Sequence, residues 1–171
     1  MYKKHIAVLL ILIFSVLISN TSCVFYPSSV DLVNETLHKV VDAIDREDAS
    51  ALIPLISASV HEETDLLRDV QELFDFIQGD IISVSGSATE GVYHEHKEKN
   101  HGKRLREIDF PFTLTTEEGR YHVWIKERVM DEFDREKEGI LFLYVIAADS
   151  WPHDSDYRGN SSVDEGIHIT R

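Results

Sequence analysis

The sequence predicts an α+β domain, with N-terminal helices packed on a curved, four-stranded antiparallel sheet. Three observations lead there. Apolar residues recur at helical spacing from Asp31 to Ile77, the period changes to two after Gly79, and helices and strands are segregated along the chain rather than alternating. At 171 residues there is room for one such domain and a leader.

The leader comes first. Lys3 and Lys4 precede an uncharged run, Ile6–Ser22, most apolar over Ile6–Ile18 and short for a spanning helix. Thr21 and Ser22, both small, then lead to Cys23, the sole cysteine. This layout resembles a bacterial lipoprotein signal, in which a small-residue box ends at a cysteine that is lipidated and becomes the new N-terminus. Asn20 stands where that pattern usually has an apolar residue. An acylated Cys23 is the leading reading. A secretory signal, an uncleaved anchor, or a buried helix with a core cysteine are the others. On the leading reading residues 1–22 are a signal peptide and 23–30 a tether, which places the domain on the extracytoplasmic face of the cell membrane. Each buried methylene of the anchor contributes about 0.8 kcal/mol, so two acyl chains hold where one does not.

Residues 31–149 form the domain. Ser28 or Ser29 caps a helix in which Val33, Leu37, Val40, Val41 and Ile44 share a face up to Arg46. Asp48 caps a second, short helix through Ile56, with Pro54 limiting its regularity. Ser59-Val-His-Glu62 is a capping-box pattern for a third helix, whose face is Leu66, Val70, Leu73, Phe74 and Ile77 and whose stop is Gly79. Asp80–His96 reads as one long strand bent at Gly86 and Gly91, and Lys97–Lys103 as a charged turn. Ile108, Phe110, Phe112 and Leu114 alternate in the next strand, where Pro111 indicates an edge or bulge. After the turn at Glu118-Gly119, Tyr121, Val123, Ile125 and Val129 share one face of a strand and Trp124 the other. Ile140–Ala148 is apolar on both faces and so central, while residues 150–171 read as an acidic, irregular tail.

Three helices followed by a four-stranded meander resemble the cone-shaped nuclear transport factor 2-like (cystatin-like) superfamily, where a curved sheet wraps a helix and leaves a pocket. A closer resemblance rests on Glu72-Leu-Phe-Asp-Phe-Ile-Gln-Gly-Asp-Ile-Ile-Ser83, His101-Gly-Lys, Glu118-Gly-Arg-Tyr-His, Glu138-Gly-Ile-Leu-Phe-Leu and Glu165-Gly-Ile-His. Their order and spacing over about residues 31–169 are similar to bacterial, often clostridial, lipoproteins carrying the domain of unknown function 5104. That resemblance implies a lipid-anchored cone domain and brings no catalytic residues with it.

Charge narrows the partners. Loss of residues 1–22 removes Lys3 and Lys4, so 17 basic side chains fall to 15 against 31 acidic ones, a net of −16. Such a chain repels phosphate backbones, which argues against nucleic acid. By the same reasoning it repels anionic headgroups, so membrane attachment is expected to be hydrophobic or covalent.

The candidate constellations are few. His94-Glu-His96 with His101 has the look of a three-nitrogen metal site, but the spacing matches no known one, and a solvated hairpin is the preferred reading. Asp154–Glu165 has acids at calcium-loop positions, yet Arg158 stands where an oxygen ligand is needed. Neither metal nor cofactor is therefore expected. Phe110, Phe112, Tyr121, Glu127 and Tyr144 are the candidates for a cone pocket; core is the preferred reading of Phe110, Phe112 and Tyr144, and a strand end leaving the core that of Glu127, with a buried acid facing Tyr144 as its alternative. The expected function is an envelope domain binding a small molecule or an envelope protein. The alternatives are a pocket hydrolase or isomerase, and an assembly role such as a homodimer through the sheet face bearing Trp124.

Overall fold

The computed structural model of the chain describes residues 27–63, 65–86, 94–150 and 165–170. Residues 1–22, read above as a signal peptide, Cys23, the expected bend at Gly91 and all of the calcium-type loop except Glu165 lie outside the described residues.

Helix α1 is Ser29–Asp45, and Ser28 is its cap. The Ser28 hydroxyl oxygen accepts from the Asp31 N–H at 3.1 Å, and the Ser28 N–H donates back to Asp31 Oδ2 at 3.3 Å. This reciprocal pair satisfies two otherwise orphaned donors. The buried stripe of α1 is Val33, Leu37, Val40 and Ile44, with Ala43 and Thr36 beside it. Asp48 caps α2 (Ala49–Leu52) by accepting from the Ala51 N–H at 3.1 Å, and Pro54 sits in the 3₁₀ turn that follows.

The third helix differs from expectation. It is divided into α3 (Ala58–Glu63) and α4 (Leu66–Phe76), and Ser59 lies inside α3 rather than before it. Ser57 begins α3 instead. Its N–H donates to the Ile140 carbonyl at 2.9 Å and its hydroxyl to the Glu136 carbonyl at 2.9 Å, which pins the chain just before the helix. Gly139 makes that crossing possible. A Cβ there would lie 3.0 Å from both the Leu55 oxygen and the Ser57 nitrogen, and its φ of +116° suits only glycine.

The sheet has six strands among the described residues, not four. They are β1 (Ile81–Ser85), β2 (His94–Asn100), β3 (Lys103–Thr116), β4 (Arg120–Asp131), β5 (Gly139–Ala147) and β6 (Gly166–Thr170). The long strand expected over Asp80–His96 is two strands, both paired antiparallel to the same edge of β3 but at opposite ends: β1 on Thr113–Thr116, β2 on Lys103–Asp109. Pro111 falls in the interval between them, where its missing N–H costs no described ladder bond. The tail is not wholly irregular, because β6 pairs with β5, and does so in parallel, so the sheet is not purely antiparallel. That pairing makes β5 internal, and both its faces are buried as its sequence required.

The four α-helices among the described residues come before the sheet in sequence, and the core joins the two layers. Val33, Val40, Leu52, Val60, Val70 and Leu73 meet Ile108, Phe110, Leu114, Ile125, Ile140 and Leu143, all fully buried.

Candidate ligand cleft

The five pocket candidates do not assemble into one site. Phe110, Phe112 and Tyr121 are buried in the interlayer core. Phe110 and Phe112 stack at 6.3 Å, and Tyr121 meets the edge of Phe76 at 5.5 Å while its hydroxyl oxygen accepts the Gln78 N–H at 3.2 Å. Tyr144 is opposite Trp124 on the other face of the sheet, lies parallel to Phe142 at 6.0 Å, and donates to Thr170 Oγ1 at 2.8 Å. Glu127 is on the core face, beside Ile108 and Ile140, and so does not face Tyr144.

Glu127 is instead bound by α1, where the Thr36 hydroxyl donates to Oε2 at 2.6 Å. Burial raises the Glu127 pKa above the ordinary carboxylate range, against the opposing pull of Thr36 and Lys39. A raised folded-state pKa means a contribution that is complete below the unfolded value and lost as pH rises through the folded one. Glu127→Gln keeps the shape and the acceptor while removing that ionisation. Urea unfolding is expected to show it more stable than the parent above neutral pH, by about 1 kcal/mol, the scale of one buried polar group. A loss of stability at every pH would contradict this reading.

Of the metal candidates, the side chain of His94 and the calcium-type loop up to residue 164 lie outside the described residues. His96 and His101 are exposed on the hairpin, and among the described residues no three His, Cys, Asp or Glu side chains converge on a point.

The arrangement that does converge lies where α1 begins. The β2–β3 turn is tighter than the charged loop expected, since only His101 (φ 49°) and Gly102 (φ 82°) lie between the paired Asn100 and Lys103. Two successive positive φ values match the twist of the flanking strands. The segment Lys97–Asn100 is therefore ladder, and its side chains are displayed in fixed alternation. Arg106, opposite Lys97, ties the hairpin to α1. Its Nε donates to Glu95 Oε1 at 2.7 Å, Nη1 to the Pro27 carbonyl at 3.2 Å and Nη2 to Ser29 Oγ at 2.9 Å. Burial works against the Glu95 carboxylate, but Lys97, Arg106 and Ser29 outweigh it and hold its pKa below the usual range. On the other side, Arg104 donates to Glu132 Oε1 through Nε at 3.1 Å and Nη2 at 2.6 Å.

Between these ties is a cleft of about 660 Å³ with Pro27, Val30, Leu105 and Met130 as apolar lining and Lys97, Lys99, Arg104 and Arg106 as its cations. The volume is within the range of ligand sites, and the lining combines apolar surface with a few convergent charges. Two further concavities, about 460 and 490 Å³, lie around the far end of α1 and carry Asp42, Asp45, Asp75 and Asp80. Among the described residues the cleft at the start of α1 is thus lined by four cations and Glu98, and the concavities around its end by five carboxylates and Lys39.

A family model described as Domain of unknown function (DUF5104) matches residues 39–148. The chain belongs to this family. No curated protein matches it. The DUF5104 match begins inside α1 and ends just after β5, so the hairpin side of the cleft is within it and Pro27–Val30 is outside. Sequence reasoning missed this cleft. The cations of 97–106 were visible, but they were averaged into a net charge of −14, and nothing local indicated that Arg106 would bind Ser29 from 77 positions away.

Proposed function

We propose that the chain is a lipid-anchored, extracytoplasmic binding domain, tethered through Cys23, which takes a small anionic group in the cleft at the root of its tether. The observation that carries this reading is the cleft itself: apolar walls and four cations in an otherwise acidic chain, beginning four residues after the cysteine. The packing of helices on one side of the sheet is consistent with a cone of the nuclear transport factor 2-like kind. A hydrolase or isomerase has less support. The described lining of the cleft has no histidine and a single carboxylate, Glu98, and the buried acid Glu127 is hydrogen-bonded to Thr36. An assembly role is the second reading, favoured by β1, an edge strand among the described residues, which exposes Ile82 (65%) and Val84 (38%).

Native mass spectrometry of the mature protein, released from its own host in detergent, tests both. The expected spectrum is a monomer carrying an anionic adduct, with the adduct lost in the variant Lys99→Gln/Arg104→Gln. A bare monomer would contradict the binding reading, and an adduct-free dimer would favour assembly.

A further inference from the structure

The root of the tether and the cations lie at one end of the molecule. Arg106 holds the Pro27 carbonyl and Ser29 directly, so the chain leaves the domain against the β2–β3 hairpin. Four residue steps separate Pro27 from Cys23, about 14 Å at full extension. Residues 94–106 carry five basic and two acidic side chains, a net of +3, whereas the rest of a chain at −14 carries −17. Electrostatic contact with a surface is screened over about 8–10 Å. The headgroups beneath a short tether therefore meet the hairpin and not the net charge, so the repulsion inferred from whole-chain composition does not apply to this end.

Resting on the anchoring at Cys23 proposed above, we propose that the β2–β3 hairpin docks on anionic phospholipid headgroups of the same membrane, so that the cleft faces the bilayer. Its exposed cations are Lys97 and Lys99 on the cleft face and Lys103, beside the turn, on the other face. The Lys97 side chain is 63% exposed although it pairs with Glu95, and Lys103 lies 5.7 Å from the Phe133 ring centroid. Arg104 and Arg106 stand across the ladder from Lys99 and Lys97 on the same face, oriented by Glu132 and Glu95. Strand β3 has 14 residues, so its other end, near Glu117, is held roughly 45 Å from the hairpin. One end of a rigid sheet thus faces the membrane and the other points away. Juxtamembrane lysines of this kind each strengthen contact with an anionic bilayer about fivefold.

The test uses the lipidated full-length protein in vesicles. Cys23 is the sole cysteine and is consumed by acylation, so Asn100→Cys gives one thiol for a fluorescent donor, with Glu117→Cys as the distal control. Flotation with neutral phosphatidylcholine vesicles reads the anchor alone. Energy transfer from the label to a membrane acceptor reads the docking. Transfer from position 100 is expected to rise severalfold when phosphatidylglycerol is added, to fall back in 0.5 M salt, and to stay constant from position 117. Lys97→Gln/Lys99→Gln/Lys103→Gln should weaken the docked state by on the order of 100-fold while leaving flotation unchanged. Flotation with no lipid-dependent change at position 100 would overturn the docking and leave the anchor standing. Failure to float on neutral vesicles would overturn both. Loss of the transfer on adding millimolar inorganic phosphate at constant ionic strength would assign the cations to free phosphate instead and overturn the membrane assignment.

Discussion

Phe110→Ala is expected to destabilise the domain by about 3–5 kcal/mol, a large part of the 5–15 kcal/mol typical of a folded domain. Phe110 is fully buried, stacks on Phe112, and lies in the middle of β3 within the core that the sheet shares with the helices. Removing its ring deletes buried apolar surface and leaves a void that the rigid sheet cannot close. The same residue distinguishes two architectures. If the central aromatics lined an open pocket, truncation would only enlarge a cavity already filled by water or ligand, and the cost would fall below that range. Urea unfolding followed by tryptophan fluorescence, with Trp124 on the adjacent strand as reporter, measures the difference.

The second large effect concerns Asp131 at the end of β4. Its side chain is almost wholly buried, and Oδ1 accepts the N–H groups of Phe133 at 2.8 Å and Asp134 at 2.9 Å. Its Oδ2 accepts from Arg128 Nη1 at 2.9 Å, and Arg128 in turn reaches Glu107 at 2.7 Å. Burial penalises the carboxylate, but the two backbone donors and Arg128 outweigh it, so the Asp131 pKa is held below the ordinary range. Asp131→Ala leaves two backbone donors and part of a guanidinium unpaired, and is expected to cost about 3–5 kcal/mol. The pH dependence follows from the sign of the shift. A depressed folded-state pKa contributes stability that is present above the unfolded value and lost as pH falls through the folded one. The parent should therefore lose stability in acid, below the ordinary carboxylate range, and Asp131→Asn should show a shallower acid limb. Equal acid limbs in the two proteins would remove Asp131 from the explanation.

Much of the fold could be read locally. Ser28 and Asp48 cap the helices their side chains can reach, and the apolar run of β5 required an internal strand. What escaped was non-local. Alternation alone cannot show that β1 and β2 are separate strands sharing one neighbour, because each has the correct period by itself. In β6 only Ile167 and Ile169 alternate, too short a signal beside an acidic segment, and its partner was fixed by parallel pairing with Phe142–Ile146. Ser59 matched a capping box, but Ser57 was already held by Ile140 and took the position. Glu127 is a largely buried acid whose partner Thr36 is 91 residues earlier on the helix across the core, a contact that strand alternation does not reveal. The cleft was the least legible feature. Its two sides are tied together by Arg106, which joins the hairpin to the first turn of α1.

Everything proposed about function depends on where the chain is held. The mass of the N-terminal peptide of the protein isolated from its own host tests this most directly. The expected peptide begins at Cys23 and carries a diacylglyceryl group on its sulfur. A peptide that retains residues 1–22, or that begins elsewhere with an unmodified Cys23, would contradict the anchored domain and the membrane-facing cleft with it.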